Sequence, residues 1–117
     1  MSSDAFTVAA HFTNRDPVVA RIYERLLAKA RSFGPVAEEP KKTSIHLVRS
    51  TAFAGIATQK RSVILTLRLP HDVQSPRVRR HEQASAKRWH LELKLEEASQ
   101  VDAELVGWLR EAYELKS

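Results

Sequence analysis

Apolar residues recur every three to four positions in the first third of the chain. From about residue 43 they recur every second position, and after residue 100 the longer period returns. Val19, Ile22, Tyr23, Leu26, Leu27, Ala30 and Phe33 fall at the helical spacing, which places them on one side of a helix. Asp16-Pro17 stands just before them. An aspartate there accepts from the unpaired amides of the first turn, and a proline at the first position lacks only a donor that the helix would leave unused. Gly34-Pro35 closes the run, so a helix is predicted over residues 17–33. A second is predicted over residues 100–115, with Val101, Leu105, Trp108, Leu109, Ala112 and Tyr113 as its apolar stripe. Ser99 followed by Asp102 gives it a variant of the capping box. A shorter helix is predicted over residues 4–12.

The alternating middle predicts strands within residues 36–95. Ile45 and Leu47 share one side of the run Thr43 to Val48, and Phe53 to Ala57 reads as its hairpin partner. Val63, Leu65, Leu67 and Leu69 form a second alternating set, and Trp89, Leu91, Leu93 and Leu95 a third. Pro40 and Pro70 sit at the ends of extended runs, where a missing amide is tolerated. Residues 74–86 fit either a loop or a short strand. The connections of only a few residues between Val48 and Phe53, and between Ala57 and Val63, favour antiparallel pairing. The expected fold is therefore α+β: an antiparallel sheet of four to five strands, with the N-terminal and C-terminal helices packed on one face.

Composition narrows the chemistry. The 117 residues suit a single domain, and the absence of cysteine excludes disulfides, thiol nucleophiles and thiolate metal sites. No segment resembles a signal peptide or a membrane span, so the expectation is a cytoplasmic protein without membrane attachment. The three glycines, Gly34, Gly55 and Gly107, make no phosphate-loop or dinucleotide fingerprint. The five histidines never stand four apart on a helix, so no metal and no cofactor is expected. Glu38 and Glu39 are adjacent on an extended segment and point to opposite faces, which argues against joint acid–base work.

Charge changes the picture more. The net charge of +5 is unevenly distributed, because residues 41–94 carry twelve basic and three acidic side chains, net +9. Residues 95–117 carry two basic and six acidic, net −4. A field of this kind attracts anions, although the same lysines and arginines also serve to solvate an exposed sheet face. If Ile45, Leu47, Leu65, Leu67, Leu91 and Leu93 face the helices, then Ser44, His46, Thr66, Arg68, His90, Glu92 and Lys94 face away. His46, Arg68 and His90 become candidates for holding a phosphate. That face carries no aromatic side chain on which to stack bases. The segment Arg77-Val78-Arg79-Arg80-His81, with Lys87-Arg88 after it, is a second basic cluster, and arginine's rigid fork matches phosphate oxygens.

The chain also resembles an uncharacterised bacterial family, a domain of unknown function. The resemblance rests on Ile22-Tyr23 with Leu26-Leu27, Gly34-Pro35-Val36, Lys41-Lys42, Phe53-Ala54-Gly55 and Ser75-Pro76-Arg77. It continues in Ser85, Lys87-Arg88, His90, Val101-Asp102 and the ending Trp108 to Tyr113. Such domains stand alone or are appended to larger chains such as predicted nucleases, so the resemblance implies an accessory or binding role and no established activity. Its polar positions here are Lys42, Arg77, Ser85, Arg88 and His90. The anion-site candidates are thus Lys42, His46, Arg68, Arg77, Arg80, Arg88 and His90. The expected function is a non-enzymatic module for nucleic acid or a phosphorylated small molecule. The alternatives are an enzyme using His46 or His90 as acid–base group, and a protein-interaction domain or homodimer.

Overall fold

A computed structural model describes residues 6–115. Asp16 caps the first helix as its position requires, its carboxylate accepting the Val18 amide at 2.9 Å. Helix α1 spans Pro17–Arg31 and buries Val19, Ile22, Tyr23, Leu26 and Ala30. Helix α2 spans Ala103–Glu114 and buries Leu105, Leu109, Ala112 and Tyr113. Its start differs from the expected Ser99 box. Asp102 is the cap and accepts the Leu105 amide. Ala98–Gln100 form a separate 3₁₀ turn with its own box between Glu97 and Gln100. Val101, fully buried and off helical geometry at φ −82° and ψ 72°, separates the two. The short N-terminal helix is a 3₁₀ turn, Ala9–Phe12, and the expectation for residues 4 and 5 lies outside the described residues.

The sheet has six strands, not four to five: β1 Ala37–Pro40, β2 Ile45–Val48, β3 Ala52–Thr58, β4 Val63–Leu69, β5 Val78–Ser85 and β6 Arg88–Leu95. Their order is β1-β2-β3-β4-β6-β5, and every neighbouring pair is antiparallel. The two strands that periodicity does not show clearly are the two edges. Only Val78 of β5 is buried, and no residue of β1 is. Without a buried face, neither needs the apolar alternation by which a strand is recognised.

Edge strand β1 is instead fastened by polar contacts. Tyr23 on α1 donates to Glu38 at 2.5 Å, while Glu39 points the other way and pairs with Lys41 at 3.5 Å. At the other edge Arg77 ties the approach to β5 to α2. It reaches Asp102 at 2.9 Å, Glu104 at 3.1 Å and the Gln100 carbonyl at 2.7 Å.

Between the edges the central strands obey period two. Ile45, Leu47, Ile56, Val63, Leu65, Leu67, Leu69, Leu91, Leu93 and Leu95 join the buried helix residues in one cluster. Each fully buried leucine or isoleucine there stabilises the fold by roughly 1.5–3 kcal/mol. Trp89 and Trp108, expected in the core, are only half-buried at its rim. Gly34 has φ +152°, and a β-carbon there would overlap the Tyr113 hydroxyl. That hydroxyl donates to the Pro35 carbonyl at 3.1 Å, so the turn after α1 is closed over the end of α2. No helix among the described residues is long and apolar enough to cross a membrane.

Candidate functional site

With the leucines turned toward the helices, the opposite sheet face carries the polar partners of each pair. The register sets His46 beside Gly55, Gly55 beside Thr66, Thr66 beside Glu92 and Glu92 beside Arg80 in one row. The next row brings Arg68 beside His90 and His90 beside Glu82. Arg68 and His90 are therefore direct neighbours. His46 is on β2, with β3 and β4 between it and β6. At about 4.8 Å per strand it is too far from His90 for both to grip one phosphate or one metal ion. Among the described residues, no group of three or more His, Asp or Glu is placed to hold a metal.

The two halves of this face differ electrically. On the β5–β6 side the charges answer one another: Arg79 lies 3.5 Å from Glu92, Arg80 3.9 Å from Glu82, and His90 3.5 Å from Glu82. Toward the end of the sheet where β2 turns into β3, a cavity of about 410 Å³ opens between the sheet and the end of α2. Arg49, Arg68 and Arg88 line it together with Ser50 and Thr51, and among the described residues no aspartate or glutamate lines it. Arg68 donates to the Ala52 carbonyl at 2.7 Å. Arg49 donates to the Tyr113 carbonyl at 3.0 Å, with its guanidinium 4.6 Å from the Tyr113 ring centre. It thereby offsets the negative end of the α2 dipole, which would otherwise repel an anion. Arg88 donates to its neighbour's carbonyl at 2.9 Å and takes part in further interactions.

A second depression of about 280 Å³ adjoins the first, sharing Ala52 and Arg68. It exists because the outward residues of β3 are small. Ala52, Gly55 and Ala57 form a low floor, with His46 on one side and Thr66 and His90 on the other.

The seven candidates thus separate. His46, Arg68 and His90 line the trough, and Arg68 and Arg88 line the arginine cavity. Arg80 lies on the same face but at the β5 edge, and Lys42 sits in the β1–β2 turn at the opposite end of the sheet from Arg88. Arg77 is placed elsewhere, on the helix side, against Asp102 and Glu104. Arg49 was missed. It follows β2 directly, and only the hairpin register shows that its turn lies against the ends of β4 and β6.

Two pairs on the helix side are pH-sensitive. His71 contacts the Asp72 carbonyl at 2.8 Å and Glu111 of α2 at 2.6 Å, and these bonds, the carbonyl first, raise its pKa above the usual histidine value. His81 lies 2.5 Å from Asp72 and holds that carboxyl below the usual range.

The profile of a family described as a domain of unknown function, DUF5655, matches residues 8–116. The chain belongs to this family. No curated protein and no solved structure matches it. Both depressions, the Arg77 clamp and the Tyr113 closure lie within the span matched by DUF5655, so the family region holds the whole candidate site.

Proposed function

We propose that this domain is a non-enzymatic binding module for a phosphate-bearing small molecule, held in the cavity between β2, β4, β6 and the end of α2. The observation that carries the reading is the convergence of Arg49, Arg68 and Arg88 on one cavity that, among the described residues, no aspartate or glutamate lines. Guanidinium groups carry more N–H donors than the carbonyl bonds of Arg49 and Arg68 consume. A planar fork with spare donors pairs with phosphate oxygens in a bidentate manner. Ser50 and Thr51, in the turn beside them, add hydroxyl-bearing side chains to the lining.

A concave site of this volume suits a small ligand better than a nucleic-acid strand. Nucleic acid is further disfavoured because, among the described residues, the outward sheet face carries no Phe, Tyr or Trp ring for base stacking, Trp89 being on the helix side. The remaining basic turns, Lys41-Lys42 and Lys60-Arg61, lie at the other end of the sheet.

Isothermal titration with inorganic phosphate at low and moderate ionic strength tests the proposal. Binding should weaken with added salt. It should fall at least tenfold in Arg88→Ala and in Arg68→Gln, where the glutamine keeps a donor for the Ala52 carbonyl and removes only the charge. Each lost charge-assisted hydrogen bond is worth about 1.5–3 kcal/mol. Affinity unchanged in both variants would refute it.

A further inference from the structure

The trough beside the arginine cavity has a shape that selects a particular kind of phosphate ester. Gly55 lies at its middle, between His46 of β2 and Thr66 of β4. An atom placed one bond above the Gly55 α-carbon would stand 3.8 Å from the His46 ring and 4.0 Å from the Thr66 β-carbon. Both distances are ordinary van der Waals contact. The space over Gly55 is therefore flanked by the His46 ring on one side and the Thr66 side chain on the other, with no side chain of its own to fill it. A gap of that kind over a floor of alanine and glycine admits the edge of a planar ring. The His46 ring, which meets that space through its Cδ2, is an aromatic neighbour of the kind that contacts nucleobases.

The gap and the cavity are connected. Ala52 and Arg68 line both. Gly55 and Ala52 are three residues apart on β3, about 10 Å along the strand, which leaves room for a sugar between ring and phosphate. Ser44, His46 and His90 place polar groups around the trough.

We infer that the ligand is a nucleoside 5′-phosphate, its base in the gap over Gly55 and its phosphate among Arg49, Arg68 and Arg88. This inference rests on the phosphate-binding reading above and adds the base subsite. Gly55 is then a specificity residue for a physical reason, since any larger side chain fills the space the base requires.

The test uses the full chain and four probes in isothermal titration: adenosine 5′-phosphate, ribose 5-phosphate, adenosine and inorganic phosphate. Adenosine 5′-phosphate should bind at least tenfold tighter than ribose 5-phosphate. Gly55→Val, a β-favouring residue whose β-carbon meets His46 and Thr66 at ordinary contact distance, should remove that advantage while leaving ribose 5-phosphate affinity within twofold. His46→Ala removes one flank without adding volume and should cost adenosine 5′-phosphate at least threefold, with ribose 5-phosphate again unchanged. Equal affinity for the two phosphates overturns the base subsite and leaves the arginine cavity standing. The same holds if either variant weakens both phosphates alike. Failure of all four probes to bind overturns both readings.

Discussion

Replacing Arg77 with alanine separates an arginine held by carboxylates from those proposed to bind the ligand. The guanidinium contacts two carboxylates, Asp102 at 2.9 Å and Glu104 at 3.1 Å, whose side chains are 49% and 57% exposed. Solvent screens such pairs, so each is worth only about 0.5 kcal/mol. The bond to the Gln100 carbonyl, 2.7 Å long and part-buried, is the stronger contact at about 1.5 kcal/mol. The guanidinium also sits 5.8 Å from the Trp108 ring centre, which adds about 0.5 kcal/mol. Arg77→Ala should therefore destabilise the fold by about 2–3 kcal/mol. In a domain of this size that lowers the melting temperature by roughly 10 °C, measured by circular dichroism at pH 7. The Leu105 amide and then the Arg77 guanidinium hold the Asp102 carboxyl below its usual range. A depressed carboxyl contributes stability that is present above the unfolded value of about 3.9 and is lost as pH falls through the folded one. The variant should accordingly lose less stability than the wild type below pH 4. Phosphate affinity measured at 15 °C, where both proteins are folded, should be the same within twofold. A melting temperature within 2 °C of wild type, or a tenfold loss of phosphate binding, would refute this assignment.

Gly34→Ala places a β-carbon against the Tyr113 hydroxyl at a positive φ. It should cost about 1–3 kcal/mol in urea unfolding, and a cost below 0.5 kcal/mol, on the order of an ordinary surface change, would contradict the closure described. Leu67, fully buried between β3 and β6, should lose about 2–5 kcal/mol on truncation to alanine, read from the same urea midpoint. The raised pKa of His71 gives a stabilisation that is complete below the unfolded value of about 6.5 and is lost as pH rises through the higher folded value. Thermal stability should decline over that window in the wild type and decline less in His71→Gln, and parallel pH profiles would count against the His71–Glu111 tether.

The central strands were legible because burial on one face imposes a two-residue period, and Leu65, Leu67, Leu91 and Leu93 all lie where that period puts them. Strand β1 was not legible, because Ala37-Glu38-Glu39-Pro40 buries no residue and is held by Tyr23 and by hairpin pairing. The outward face could be listed residue by residue, since alternation determines it. What alternation cannot supply is strand order. Only the β4–β6 pairing, which skips β5, makes Arg68 and His90 neighbours and sets Arg88 across from the Arg49 turn. Arg77 misled for a related reason: local sequence shows a basic cluster, while Asp102 and Glu104, twenty-five and twenty-seven residues later, neutralise it.

The most direct test of the phosphate-binding account is an amide NMR titration of the wild-type chain with inorganic phosphate, against chloride at matched ionic strength. The account predicts saturable shifts at Ser50 to Phe53 and at Arg68 and Arg88, with Arg77 and the Lys60-Arg61 turn unmoved. Shifts confined to the Lys42 and Lys60 turns, or no saturable shift at all, would contradict it.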